Sequence, residues 1–383
     1  MLWEPGLKLM NGSMQVCKRC IMDNVNDPDL VLDSDGVCNH CHNFEKAVAK
    51  LPSKERAQKE FEALTSRIKT DGKTKKYDCL IGVSGGVDST YLAHVAMKAG
   101  LRTLLVHCDN GWNSELAVQN IKNICKYTGF DLYTLVLDWE EFKDIQLSFF
   151  KAHVVDLELP YDYALTVTMY KAALKYNVKY VLTGHNVATE GTYLPKSWRH
   201  NKMDILNIKD IHRQHGQRKM ETFPHYSFLR QKFFLDRKLK YVNLLNFLGY
   251  KKDEVKQFIQ KEMGWRDYGG KHYENVFTRF YQGYILNEKF HIDKRQFHLS
   301  VLVQSGQLTR ENALVEYKRS AYEEKQMQTD LDFVIKKFNL SEASFAEYIQ
   351  ATARSHYEYD SIDKYWNLYF KLIKKVKALL FWK

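Results

Sequence analysis

Residues 77–91 read YDCLIGVSGGVDSTY. Cys79, Leu80, Ile81 and Val83 make a short apolar, β-prone run, the pattern of a strand buried on both faces of a parallel sheet. The run stops at Ser84-Gly85-Gly86, and from Val87 a helical pattern continues through Leu92, Val95 and Ala96 to Gly100. A strand, a glycine turn and a helix start direct bare backbone N–H groups and the positive end of a helix dipole at one spot, which suits phosphate. Gly85 and Gly86 allow the backbone to approach closely, and the hydroxyls of Ser84, Ser89 and Thr90 are further donors. Asp88 beside a polyanion calls for a magnesium ion or for a role in orienting the loop. The GxxxxGK[ST] spacing and its lysine are absent. Two glycines alone would describe an ordinary connecting turn; the serines and the aspartate at their offsets are what single it out.

Strand and helix patterns alternate beyond this stretch. Strands are expected at Thr103–Cys108, Leu132–Leu137, Lys179–Leu182 and Tyr241–Leu245, and helices at Ser114–Tyr127, Glu140–Phe150, Pro160–Tyr176 and Asp253–Met263. That alternation implies an α/β fold, a doubly wound parallel sheet with right-handed crossovers. Ligands of such sheets lie at the carboxyl ends of the strands. Three polar strand ends, Ser84–Ser89, Asp109–Gly111 and Thr183–Glu190, are therefore expected to converge on one site.

Upstream, Cys17-Lys18-Arg19-Cys20 and Cys38-Asn39-His40-Cys41 form a C-x2-C-x17-C-x2-C pattern. Two such knuckles close a four-thiolate tetrahedron around a structural zinc ion, leaving no open position for substrate; an iron–sulfur cluster suits this spacing less well. Ser34-Asp35-Gly36 is a hairpin turn between the knuckles, and His40 and His42 read as bystanders. The other cysteines, Cys79, Cys108 and Cys125, fall in strand or helix patterns as small core residues. Seven cysteines in all, four of them in CxxC pairs, fit a reducing cytoplasm better than a disulfide framework.

The expected organisation is residues 1–13 as a leader or cloning remnant, 14–45 as the zinc ribbon and 46–76 as a helix and polar linker. Residues 77–265 form the α/β domain and 266–383 a helical carboxyl-terminal region for substrate or partner. The stretch 196–225 is basic and reads as irregular, either a lid or substrate loop or a solvent-facing insertion. No apolar run reaches the length of a membrane span. The net charge of +11 suits an anionic partner, nucleic acid or nucleotide, or else a lysine-rich solvated surface.

SGGVDS resembles the SGGxDS loop of the PP-loop ATP pyrophosphatase superfamily. CKRCIMDNVNDPD (17–29), DGVCNHC (35–41), WRDYGGKHYENVFTRFYQGYIL (265–286) and KFHIDKRQFHLSVLVQSGQLTRENAL (289–314) resemble signatures of the N-acetyl sugar amidotransferases of the WbpG/PseA type. That resemblance runs from Cys17 to about Glu316; the residues after it bring no motif that could be placed. It implies an ATP-dependent, AMP-forming enzyme of bacterial surface-polysaccharide (lipopolysaccharide O-antigen) and nonulosonate biosynthesis, turning an acetamido group of a sugar or sugar nucleotide into an acetamidino group. It also implies ammonia from a separate glutaminase resembling that of histidine biosynthesis, delivered through a barrel-shaped cyclase-like partner, since no glutaminase signature is present. ATP, Mg2+ and a structural Zn2+ on Cys17, Cys20, Cys38 and Cys41 are the implied cofactors.

By the same resemblance Gly82, Ser84, Gly85, Gly86, Asp88, Ser89, Thr90, Asp109, Asn110 and Gly184 contact ATP, and Asp88 and Glu190 hold magnesium. Ser84, Asp88, Ser89, Glu190, His272 and Glu274 carry the chemistry, and Lys271, His272, Arg279, Lys294 and Arg295 meet the substrate. Many PP-loop enzymes carry paired aspartates where this chain has Ala188-Thr189. A tRNA-modifying PP-loop enzyme, a thiolase or lysidine-type ligase, is the alternative, although a thiolase calls for catalytic cysteines and both CxxC pairs belong to the ribbon.

Overall fold

The computed structural model describes residues 14–231, 235–270 and 273–366. The segment 1–13 thus lies outside the described residues. Five parallel strands, β1 (Cys79–Gly82), β2 (Thr103–Asp109), β3 (Asp131–Val136), β4 (Tyr180–Leu182) and β5 (Lys240–Val242), form one sheet in the order β3-β2-β1-β4-β5. The chain winds outward from β1 to β2 and β3, then returns past β1 to β4 and β5. The order therefore reverses between β1 and β4, and the crevice beyond their carboxyl ends is the switch point where such sheets bind ligands.

Pleating of the central strands separates two cores. Leu80, Leu104, Val106 and Cys108 face one, with α5 (Trp139–Ala152) and α6 (Leu159–Lys175). Cys79, Ile81, Val83 and Leu105 face the other, with α3 (Val87–Lys98), α4 (Glu115–Thr128) and the helix Lys252–Met263. Burial on both faces is why these strands read as continuous apolar runs. Cys79 and Cys108 are buried core thiols, each pushed up to about 12 by burial.

Several boundaries differ from expectation. The helix α2 (Lys54–Gly72) extends into the stretch read as a polar linker, because Asp71 accepts from Lys179 Nζ and Tyr180 Oη at 2.7 Å each and so ties the helix end to β4. The fifth strand starts at Lys240 and gives way to a 3-10 turn at Leu244–Phe247, where Leu244 and Leu245 enter the core. The middle of 196–225 is not irregular. Ile205–His215 is a helix, capped by Asp204 and burying Ile205, Ile208 and Ile211 in the same core as α5. These three isoleucines have the spacing of a helix face, but the basic residues around them masked the pattern.

The cysteine ribbon packs against the helix Lys294–Gln304 through polar contacts. Asn26 Nδ2 donates to Asp293 O and Gln296 Oε1 at 2.9 Å each, and Gln304 Nε2 reaches Cys41 Sγ at 3.3 Å. Arg310 donates to Cys20 O at 3.0 Å and Cys17 O at 3.2 Å. The hairpin between the knuckles forms as expected: Leu32 bridges Cys38, and Gly36 takes φ +79°. No helix among the described residues is long and apolar enough to cross a membrane.

Candidate functional site

Ser84-Gly85-Gly86 lies at the end of β1, and Gly86 is the N-cap of α3. Gly85 has φ +82°, and a Cβ there would meet Ala117 O at 2.7 Å, so the loop presses on the first turn of α4. From outside, Trp265 Nε1 donates to Gly85 O at 2.8 Å, and the Asn120 amide brackets the Arg266 backbone with bonds of 2.8 and 2.9 Å. Gly184, beyond the end of β4, approaches less tightly but still closely: a Cβ on it would lie 3.1 Å from Asp88 Cβ and 3.2 Å from Ser89 N. The two strands flanking the switch point therefore meet at the head of α3. Gly82 is less confined, its nearest prospective contact being Met169 Sδ at 3.5 Å.

The loop hydroxyls differ in where they point. Ser84 Oγ accepts from Gly86 N at 3.3 Å and faces Glu274 Oε1 at 3.4 Å. Ser89 and Thr90 donate to Gly86 O at 3.2 and 2.7 Å; Thr90 is fully buried, so its hydroxyl braces the turn rather than projecting from it. The Asp88 carboxylate accepts from Tyr250 Oη and, at 3.4 Å, from Asn186 Nδ2. Burial first, then the negative charge of Asp88, raises the Tyr250 hydroxyl far above its usual value, and burial with Glu274 does the same to Tyr268. Both tyrosines are therefore held as neutral hydrogen-bond donors beside carboxylates.

Glu274 belongs to the carboxyl-terminal region and is placed by main-chain pairing. Ser114 N donates to Glu274 O at 3.0 Å and Val276 N to Trp112 O at 2.9 Å, extending the β2–α4 connection by an extra extended segment. The cleft beyond has a volume of about 480 Å³ and is walled by Asp88 and Thr189 on the sheet side and by Tyr268, Glu274, Gln282, Lys294 and Arg295 on the other. A smaller lobe of about 250 Å³ continues from it past Glu190, sharing Gln282, Lys294 and His298.

Asp88, Glu274, Lys294 and Arg295 thus line one cleft, with Glu190 in the adjoining lobe. Asp109 and Asn110 stand apart from it. Asp109 Oδ1 accepts from Gly111 N and Asn113 Nδ2 at 2.9 Å each, and buried Asn110 Oδ1 accepts from Trp112 N at 3.1 Å and Asn275 Nδ2 at 3.3 Å. The pair shapes the turn on which the Glu274 segment rests. Arg279 points away into a buried bidentate pair with Asp330, at 2.6 and 2.7 Å. Arg295 lies on the cleft wall with its guanidinium held by Asp293, at 2.6 Å. Lys271 and His272 lie outside the described residues. Tyr250, Tyr268 and Gln282 were not anticipated; Tyr268 and Gln282 belong to the stretch 265–286, whose signature could have drawn attention to them.

In the ribbon, the sulfur atoms of Cys17 and Cys41, Cys20 and Cys38, and Cys38 and Cys41 lie 3.9, 3.6 and 3.7 Å apart. A zinc–sulfur bond of about 2.3 Å in a tetrahedron requires sulfurs about 3.8 Å apart. Backbone N–H groups of Arg19 and Cys38 point at Cys17 Sγ at 3.4 and 3.3 Å, as suits thiolate charge. These residues fit a structural zinc ion, and among the described residues they are the one grouping of metal-ligating side chains close enough to hold an ion by themselves. His40 and His42 pair instead with Asp27 and Asp33, at 2.7 Å each.

A parallel sheet in this order, with the SGGVDS glycine turn at its switch point and no P-loop lysine, is the arrangement expected of a PP-loop fold. Residues 274–376 match the family model for "LPS biosynthesis protein WbpG-like, C-terminal domain". That match takes in about a quarter of the chain and runs well past the last motif legible in the sequence. A tRNA(Ile)-lysidine synthase of Chlamydia pneumoniae is 34% identical over 76 residues, which are 19% of this chain and 23% of that protein. The chain thus matches under a quarter of that relative's length. Among solved structures, NMN synthetase from Francisella tularensis is similar at 16% identity and TM-score 0.29, over 55% of this chain and 87% of that one. A predicted subunit of tRNA methyltransferase from Methanocaldococcus jannaschii is similar at 14% identity and TM-score 0.26, over 47% and 74%.

Proposed function

We propose that the chain is an ATP-dependent, AMP-forming amidotransferase that converts the acetamido group of a nucleotide-linked sugar into an acetamidino group. The observation that carries this reading is that the WbpG-like domain begins at Glu274, the residue facing Ser84 across the mouth of the phosphate loop. The family-specific part of the chain and the ATP-type loop therefore share one cleft.

An amide oxygen is a poor leaving group. Attack of that oxygen on the α-phosphorus forms an O–P bond, breaks the bond to the β-phosphate and expels pyrophosphate. Ammonia then adds to the imidate carbon, a proton is lost, and AMP departs with the former amide oxygen. In this scheme Ser84, the backbone of Gly85 and Gly86 and the dipole of α3 hold the polyphosphate. Asp88 and Glu190, with Glu274 close by, would supply the one or two protein carboxylates that a nucleotide-bound magnesium ion needs, and the ion would supply positive charge against the phosphates. Tyr250 orients Asp88. The cleft walls keep water from the imidate, whose hydrolysis would return the starting amide. Ammonia comes from a separate glutaminase and its barrel-shaped partner, and the protein works in the cytoplasm.

The test is product analysis with acetamido sugar nucleotides and ammonium at raised pH, where more ammonia is unprotonated. AMP, pyrophosphate and an amidine are expected. ADP as product removes the adenylation scheme. The match to a lysidine synthase favours a tRNA substrate as the second reading, so a tRNA arm is run in parallel; AMP release stimulated by tRNA alone moves the assignment there.

A further inference from the structure

Lys294 is the first residue of the helix Lys294–Gln304 and is 9% exposed. Among the described residues its ammonium makes no hydrogen bond and no ion pair within 4.0 Å; its contact is the face of Tyr281, 5.3 Å from the ring centroid. Burial pulls its pKa below the usual lysine value, against the pull of Glu158. A lysine this buried without a carboxylate partner is costly, and the fold keeps this one in place firmly. Asp293 caps the helix, and Asn26 of the ribbon bonds Asp293 N at 2.9 Å. The same lysine lines both the cleft at the head of α3 and the smaller lobe beyond Glu190.

The smaller lobe has its own character. Tyr193, 76% exposed, offers a ring face at its rim, with the Arg199 guanidinium 5.7 Å from that ring's centroid. Arg199 and Lys294 face the single carboxylate of Glu190 on its walls, with the imidazoles of His185 and His298 beside them. At about 250 Å³ it is smaller than the usual pocket for a whole ligand and has room for one end of a larger molecule. An aromatic platform beside an arginine and imidazoles suits a sugar joined to a phosphate.

Resting on the amidotransferase reading, we propose that this lobe is the acceptor subsite for an acetamido sugar carried on a nucleoside diphosphate, and that Lys294 binds the phosphoryl oxygens where acceptor and ATP meet. The Lys294 ammonium opposes the charge that develops as the amide oxygen bonds to the α-phosphorus.

The experiment uses the full zinc-loaded chain, with UDP-N-acetylglucosamine as probe. Calorimetric binding of the probe, binding of MgATP and acceptor-dependent AMP formation are measured for wild type, Lys294→Met, Lys294→Arg, Tyr193→Ala and the exposed control Lys209→Ala. Lys294→Met is expected to lower AMP formation on the order of 10²-fold with MgATP affinity within threefold; Lys294→Arg regains part of the rate. Tyr193→Ala is expected to weaken probe binding about tenfold with kcat little changed. Lys209→Ala matches wild type. Unchanged probe binding in Tyr193→Ala with an unchanged rate in Lys294→Met overturns the inference, as does a wild type that fails to bind the probe at millimolar concentration. A wild type that makes AMP with sugar nucleotides while these variants behave normally sinks this inference alone. If wild type makes AMP only with tRNA, the functional reading fails, and the binding series still decides what the lobe holds.

Discussion

Replacing Gly85 by alanine tests whether the loop's shape depends on one close approach. The residue has φ +82°, where a side chain costs about 1–2 kcal/mol. Its Cβ would lie 2.7 Å from Ala117 O and 3.1 Å from Ala117 Cα, both backbone atoms of α4 that cannot swing aside. Forcing an extra methyl group into such packing costs about 1–3 kcal/mol more. Gly85→Ala should therefore lose roughly 2–5 kcal/mol by the same two estimates. Gly129, with φ +69° and open space for at least 4 Å around where a Cβ would stand, is the control: Gly129→Ala carries only the backbone cost, about 1–2 kcal/mol. At about 2 °C per kcal/mol for a chain of this size, thermal melts should fall by roughly 4–10 °C and 2–4 °C. Equilibrium dialysis of MgATP should show binding lost in Gly85→Ala and kept in Gly129→Ala, because only the first displaces the N–H groups that face phosphate. Equal melting shifts together with normal MgATP affinity in Gly85→Ala would refute the idea that this contact shapes the loop.

Three further outcomes follow from the same geometry. Cys38→Ser should bring zinc below one per chain and destabilise the protein by several kcal/mol, on the order seen for structural sites; an iron–sulfur absorption band after anaerobic purification would instead remove the zinc assignment. Asp88→Ala should weaken magnesium-dependent ATP binding about tenfold or more, as expected when a charged contact is lost, and titrations with and without magnesium that coincide for wild type would count against it. His356 stacks on His200 at 4.4 Å, and burial, then the charge of His200, holds its pKa at about 3. Unfolded, it takes a proton below about pH 6.5, which the folded protein refuses until about 3, so its stabilising contribution is complete above 6.5 and falls by up to about 1.4 kcal/mol per pH unit below that. Urea unfolding at several pH values should show this slope, and His356→Gln should flatten it.

What could be read from the sequence is what local physics encodes. The run Cys79–Val83, the glycine turn and the start of α3 are contiguous, so one stretch carries strand, loop and dipole together. The two CxxC pairs close on each other through a short hairpin and were equally legible. The residues 196–225 were not, because charge on the outer face of Ile205–His215 outweighed a three-residue apolar stripe that becomes decisive only once α5 is there to cover it. Arg279 looks like a substrate contact in its motif, yet its partner, Asp330, lies 51 residues on, and no spacing rule connects them. Asn110 likewise reads as a strand-end ligand, whereas Asn275, 165 residues on, claims it.

The functional surface depends on contacts of that long-range kind. Ser84 and Glu274 are 190 residues apart, and Asn26 and Asp293, which fix the helix bearing Lys294, are 267 apart. Four thiolates around one ion would leave the ribbon no open coordination position, and through the Asn26–Gln296 bond it clamps that helix, while Arg310 ties it to the helix that follows. Stability of the ribbon and shape of the cleft wall are therefore one problem, although the cysteines themselves are absent from the cleft. Losing the metal should accordingly disturb the Lys294 side of the cleft before the Ser84 side, since the loop is held independently by β1, α4 and Trp265. A zinc-depleted chain that still binds MgATP while its acceptor side fails is the behaviour this division of supports requires.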